Sequence, residues 1–410
     1  VRYEVKQGDT LSEVAERYIL PRYDWRDLQK LWRVPDTRRL TVNRRHSIPR
    51  HWLRWVPEEA RVASVRGTVN LAIGGRNLAP RVGMRLREGT SISTGANSFL
   101  TLALSDGSRV ALPSQSSARL IRLRKYLIDS AIDYQFKLDK GRIDAKVRPL
   151  SGGGSNINVE TPVSLTAVRG TEFTVSYDMD TQTAGTAVFE GTVAVSQPGD
   201  RSEQLVPQRF GVIADTGDSR ERVELLPAPS LENPDRLQAS EVVSFDVTPV
   251  AGATGYYALL ATDAGFVDRF AELESATPHF EFTQVPDGTQ FIRVLAIGEG
   301  GLHGMRQTYS FRRSLETIDA NVERSDDGYV FRWLETDDRT RRYRLQLHSD
   351  TVDGLPVIDE AGLTDTEISV KELRAGVYFW RVGVYRTDSG DTFVNWTDFE
   401  KLTITRSDGR

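Results

Sequence analysis

The chain has 410 residues, 39% of them hydrophobic and 27% charged, with no cysteine and a formal net charge of −4. That length exceeds what one core serves, so about two to four domains are expected, and the composition excludes wholesale disorder. No apolar run approaches the roughly 18 residues that span a bilayer, and the missing thiols exclude disulfides, thiolate metal sites and cysteine nucleophiles.

Charge is unevenly spread. Residues 1–55 hold thirteen Lys and Arg against seven Asp and Glu, a formal +6 that leaves about −10 for the rest. A basic small domain on an acidic body suits an anionic partner, and charge alone does not choose between nucleic acid and a cell wall. The chain starts at Val1, so a preceding secretory segment is expected to have been removed or left out.

Residues 3–50 read as strand, helix, helix, strand. Tyr3 and Val5 lead into a Gly8-Asp9 turn, and Thr10 with Glu13 makes a capping box. Leu11, Val14, Ala15 and Tyr18 then fall on one helical face, ended by Pro21. A second helix is predicted over Trp25 to Leu31, with Trp25, Leu28 and Leu31 inward, and a last strand at Ser47-Ile48-Pro49.

From Arg61 to Leu226 the period becomes two. Runs such as Val62 to Leu71, Ser98 to Leu104, Phe173 to Tyr177 and Thr192 to Val195 alternate with Gly, Asp and Ser turns, predicting an all-β domain. Ser151 to Ser155 is a glycine-rich loop with no helix after it, so it is no phosphate cradle. Leu226-Pro227-Ala228-Pro229 reads as a linker. Two mutually similar strand-rich segments of about 90 residues follow, predicting tandem β-sandwiches. The expected domains are 1–55, 60–226, 230–315 and 316–407 of a multidomain, mainly β protein.

Three resemblances follow these patterns. Tyr3 to Leu11, Val14-Ala15, Tyr18, Leu28-Gln29 and Ile48-Pro49 resemble the βααβ LysM module, with Trp32 standing where that family usually has Asn. The resemblance implies a groove for N-acetylglucosamine-containing glycan. It would be formed by Gly8, Asp9, Thr10 and Leu11 on one side and Trp32, Arg33, Val34 and Asp36 on the other. Gly67-Thr68-Val69, Leu86 to Gly89, Ile92 to Gly95, Leu104 to Ser108, Lys140 to Ile143, Val159 to Pro162, Val168 to Phe173 and Phe189 to Val193 resemble the FecR domain. That implies a periplasmic β domain tied to sensing and signal transfer in Gram-negative envelopes. The last two segments are similar to fibronectin type III sandwiches, with Trp333 and Trp380 at buried positions and Gly301 to Gly304 in a turn.

Catalytic signatures are missing. The histidines, His46, His51, His279, His303 and His348, form no HExxH pair, and GxSxG and the P-loop are absent. Several local features carry two readings. His46 and His51 are a metal pair or incidental neighbours. Asp178 to Gln182 is a calcium loop without its Gly and Glu or a hairpin tip. Arg169-Gly170-Thr171 is a ligand motif or a bend with Arg169 and Glu172 paired. Trp25 is a core residue, Trp32 stacks on a sugar or packs on the next domain, and Trp52 and Trp55 pack between domains. Arg38, Arg39, Arg44 and Arg45 meet anionic wall groups or are merely solvated.

The expected protein is non-catalytic and needs no cofactor or metal. It binds peptidoglycan through the first module and presents its β domains to an envelope or membrane protein. The alternative is a periplasmic sensor passing a signal through the FecR-like domain. Nucleic acid is not expected as a partner, and the expected compartment is the Gram-negative periplasm.

Overall fold

The computed structural model describes the chain apart from residues 37–39, 150–154, 201, 218–219, 233–236, 239, 314–319, 335–341, 353, 389–390 and 406–410. It divides into two compact units, residues 1–236 with 244–312, and residues 237–243 with 313–410. The Ser151 to Ser155 loop falls almost wholly outside the described residues, as do Arg38 and Arg39.

The first unit begins with the expected strand–helix–helix–strand order. Arg2–Glu4 pairs antiparallel with Arg45–Ser47, Tyr3 opposite His46, so the closing strand lies earlier than Ser47-Ile48-Pro49. Helix α1 spans Leu11–Tyr18 and has both halves of the Thr10–Glu13 capping box. Helix α2 spans Trp25–Trp32, capped reciprocally by Asp24 and Asp27 and ended by Arg33 in the left-handed region at φ 52°. The inward face of α2 differs from the expected one: Leu28 and Trp32 are buried, while Leu31 is 39% exposed. Both the i, i+3 and the i, i+4 stripe fit a helix, and the larger indole wins the core position.

The long β domain runs from Trp55 to Glu224 as two hydrogen-bonded layers of a closed β structure. One layer carries Val69–Ile73, Ser91–Thr94, Ser117–Tyr126, Asn156–Glu160, Leu165–Val168 and Thr192–Ser196. The other carries Ala60–Arg66, Phe99–Ala103, Arg109–Leu112, Glu172–Asp178, Thr183–Glu190 and Phe210–Ala214. The 15-residue strand Ile132–Lys146 serves both, its first half beside Ser117–Tyr126 and its second beside Glu172–Asp178. Alternating Val, Leu, Ile and Phe close one core between the layers, including Leu120, Phe136, Ile143, Phe173 and Val188. Gly141 allows the long strand to cross: at φ 81°, an added Cβ would sit 2.7 Å from the Gln115 carbonyl.

The N-terminal module is seated on this domain. Its core cluster includes Tyr126 and Ala131 of the β domain, and Arg50 donates to the Asn156 side chain at 2.8 Å. Trp55 lies in a strand paired with Ser117–Tyr126, its ring centre 4.1 Å from the Arg124 guanidinium, and it also packs against the core of the N-terminal module. Trp52 instead stacks on Tyr23 at 4.4 Å inside the module.

A sandwich completes the unit. Leu231–Glu232, Val243–Val247 and His279–Phe282 form one sheet, and Arg269–Ser275, Gly255–Ala261, Gly288–Ile297 and His303–Arg313 the other. The expected linker is part of a packed seam. Leu225 and Pro229 are buried, and the Leu226 carbonyl accepts from the Met305 N–H at 2.8 Å.

The second unit is a sandwich of Ala320–Ser325, Gly328–Trp333 and Glu367–Lys371 against Ile358–Leu363, Arg342–Ser349, Gly376–Asp388, Asp391–Trp396 and Glu400–Ile404. Trp333 and Trp380 are buried in its core, Trp380 edge-on to Phe331 at 4.9 Å.

Candidate functional site

The eight residues of the anticipated glycan groove separate into two groups. Gly8, Thr10, Arg33 and Asp36 are exposed, with Asp9 and Val34 half-buried. Leu11 and Trp32 belong to the core. The Trp32 indole lies between the Tyr3 ring at 6.1 Å and the His46 ring at 4.4 Å, both nearly parallel, and its N–H donates to the Ser47 carbonyl at 3.2 Å. Trp32 is only 5% exposed and its donor is used, so it presents no open face for a sugar to stack on. Tyr3, absent from the expected set, links the two loops: its ring packs on Trp32 and its hydroxyl donates to Asp9 at 2.6 Å. Burial and the Asp9 carboxylate hold the Tyr3 phenol above its ordinary range.

The other two-sided features resolve structurally. His46 packs on Trp32, whereas His51 sits edge-on to Tyr23 and Trp52. Asp178 to Thr183 is a hairpin tip whose Asp178 side chain accepts from the Asp180 and Thr181 amides. Gly170, at φ 114°, passes so close to Pro149 that a Cβ would be 2.7 Å from its Cα. Glu172 pairs with Lys146 at 3.0 Å and Arg306 at 2.9 Å, in place of the expected Arg169. Arg45 pairs with Glu4 at 2.7 Å.

The richest chemistry lies where the sandwich meets the β domain. A cleft of about 1090 Å³ opens there, lined by Lys140, Asp178 and Asp180 from one side and Tyr257, Glu272, Glu274 and His303 from the other. Its floor is Arg142, brought to the seam because the long strand's second half faces the sandwich. The guanidinium packs 4.5 Å from the Tyr257 ring centre and donates to the Tyr257 hydroxyl at 2.6 Å, to Glu272 at 3.3 Å and to His303 Nε2 at 3.0 Å. Arginine has no acceptor, so Nε2 carries the lone pair and Nδ1 the proton. Burial, with Arg142 second, pushes the His303 pKa down to about 3, leaving a neutral imidazole at pH 7.

Deeper in the seam, Asp144 and Glu172 of the β domain meet Arg269 and Arg306 of the sandwich. Burial opposes the Asp144 charge, yet Arg269 and Arg142 hold its pKa well below the usual carboxylate range. At the rim Arg66 grips Asp268 with two bonds of 2.9 and 2.6 Å, and Ser64 adds a third of 2.7 Å. These partners are more than a hundred residues apart in sequence, so no local spacing signals them.

Residues 90–194 match the model described as FecR protein. The chain contains a FecR-family domain. The matched part runs from Ser91–Thr94 into Thr192–Ser196, and it supplies Arg142, Asp144, Glu172 and Asp178 to the seam and cleft. Gly67-Thr68-Val69 and Leu86 to Gly89 precede it, although Val69 and Leu86 lie in strands of the same β layers.

No curated protein matches the chain. Among solved structures, a putative anti-sigma factor from Parabacteroides distasonis ATCC 8503 is similar at 18% identity over 33% of this chain, with a TM-score of 0.27. The chain spans 59% of that structure's length. The chicken CNTN1 FN1–FN3 domains are similar at 12% identity over 70% of this chain and 98% of theirs, TM-score 0.26. A two-domain fibronectin type III segment from chicken tenascin gives 15%, 44%, 99% and 0.21 in the same order. Likenesses this slight carry no argument about the chain.

The chain has no cysteine, and no group of three or more metal-ligating His, Asp or Glu occurs among the described residues. Among those residues no helix is long and apolar enough to cross a membrane.

Proposed function

We propose that this protein is a non-catalytic regulatory component of the Gram-negative periplasm, with the FecR domain and its docked sandwich as the sensing body. The observation that carries the proposal is the FecR match over residues 90–194, because that family is associated with sensing and signal transfer. A signalling body needs a surface that changes when something binds. The cleft between Lys140 and Glu274 is such a surface, since ligand or partner there touches both domains at once. The partner is an envelope or membrane protein.

The N-terminal module serves as an address on peptidoglycan. Supporting this are its strand–helix–helix–strand order, its net positive charge and the exposed Gly8, Thr10, Arg33 and Asp36. A single shallow glycan site binds on the order of micromolar to millimolar, so the address works by adding to the partner contact.

Photo-crosslinking amino acids at Lys140 and at Glu274, in the full chain expressed in a Gram-negative host carrying its native envelope, test the sensing role. One envelope protein should be captured from both positions; capture from neither removes the proposal. The address is tested by co-sedimentation of the full chain with purified sacculi. Arg33→Glu combined with Asp36→Ala should reduce the bound fraction several-fold, and equal binding of both chains removes the glycan role.

A further inference from the structure

The charges of the seam do not cancel. A cavity of about 30 Å³ lies between the FecR domain and the sandwich, walled by Arg109, Lys146, Arg269, Arg293 and Arg306 against only Asp144 and Glu172. Both carboxylates are already engaged. Asp144 accepts from Thr174 at 2.8 Å and pairs with Arg269, while the two oxygens of Glu172 take Arg306 and Lys146. Arg293 has no carboxylate within ion-pair distance among the described residues. Its Nε donates to Thr308 at 3.2 Å and its guanidinium lies 3.9 Å from the Phe266 ring centre. Arg109 likewise meets no carboxylate among the described residues, and its Nη1 overhangs Gly265, 3.0 Å from where a Cβ would be.

We infer that this cavity is a binding site for a small oxyanion, a carboxylate or phosphate group, held by Arg293 and Arg109 with Arg306 beside them. Three observations converge on it. The walls are positive in excess, and the partial burial of Arg293 and Arg306 strengthens the attraction of an anion to them relative to bulk water. The arginine forks match the planar geometry of a carboxylate and the oxygens of a phosphate, which lysines would not do. The space fits: a water needs roughly 10–15 Å³, so about 30 Å³ admits the head of such a group while excluding a whole nucleotide. Burial and the neighbouring Arg306 and Arg269 also depress the Arg293 pKa, the mark of a cation lacking its counter-charge. Arg109 comes from the FecR domain and Arg293 and Arg306 from adjacent sandwich strands, so an anion there would join the two. The site stands independently of the signalling reading and of the glycan address.

The experiment is thermal unfolding of the full chain, first in a non-coordinating buffer, then with added sodium phosphate, sodium acetate or sodium chloride at matched ionic strength. Phosphate or acetate should raise the transition of the first unit by about 2 °C or more beyond chloride. Whichever does so identifies the source chemistry. Arg293→Met, which keeps the packing on Phe266, should abolish the difference, and Arg66→Met, outside the cavity, should retain it. Where Arg293→Met does not fold, Arg109→Met, at an exposed position, should halve the shift. No difference between either oxyanion and chloride in the wild type overturns the proposal. So does an undiminished difference in the cavity variants.

Discussion

His303 shows how a buried group couples the seam to pH. Its Nε2 accepts from Arg142, so protonation would place a second cation 3.0 Å from the guanidinium. Its folded pKa of about 3 lies below the ordinary 6.5. The neutral form's stabilisation is therefore complete above pH 6.5 and is lost as pH falls toward 3. At pH 5 the loss is about 2 kcal/mol. His303→Gln keeps an acceptor for Arg142 and has no proton to gain. The drop in unfolding free energy between pH 7 and pH 5, from urea titrations, should be smaller in that variant by about 2 kcal/mol, and equal drops would show that His303 does not titrate. Asp144 acts in the same direction at lower pH, because its depressed pKa gives stability that disappears as the carboxylate is protonated. Gly211 has no room for a side chain. A Cβ there would meet Leu302 at 2.6 Å and the Thr186 carbonyl at 2.7 Å. Gly211→Ala should cost about 1–3 kcal/mol in denaturant unfolding. Adding Leu302→Ala should not restore stability, since the carbonyl clash remains.

Helices are where sequence reasoning worked best and where it slipped by one side chain. The Thr10–Glu13 box is present because cap chemistry is local: the hydroxyl and carboxylate reach amides within one turn. Thr10→Ala should lower the module's stability by about 1 kcal/mol, read as a shift in its urea midpoint. In α2 the Leu31 stripe and the Trp32 stripe are equally helical, and only the neighbouring Tyr3 and His46 rings decide which is buried. Trp32→Ala should cost about 3–5 kcal/mol as a core truncation. Loss of glycan binding in that variant would report an unfolded module, which circular dichroism at 222 nm and near-ultraviolet signals should show. Arg33 and Asp36 are the informative positions, because they are exposed.

Across the first unit, docking turns three expected domains into one body. The Leu226 to Pro229 segment looks like a linker by composition, yet its backbone is hydrogen-bonded to Met305 and Pro229 is buried. Limited proteolysis with a broad-specificity protease should leave this segment intact under native conditions, and early cleavage there would contradict the packed seam. Arg66→Ala should remove a two-bond contact with a partner that Ser64 and Thr262 also bind. Its carboxylate partner would remain only partly satisfied, so a cost of about 1–3 kcal/mol is expected in the unfolding of this unit. A midpoint unchanged from wild type would place the contact among exposed pairs of no consequence.

What the amino-acid order determined alone was everything decided within a few residues. Caps, the change from helical to two-residue periodicity, the turns at Gly and Asp, and the ordered motifs leading to the FecR-family domain were all legible, because local backbone chemistry writes them. The fibronectin-like resemblance also implied inward positions for Trp333 and Trp380, and both are buried. What only the tertiary structure decided was every contact made across the chain. These include Trp32 sealed between two rings, Glu172 paired with Arg306 instead of Arg169, and Arg142 under Tyr257. Arg293 stranded beside a cavity belongs with them. A charge in a sequence looks solvated until two domains close over it, and burial, the term that makes it matter, is a property of the packed molecule.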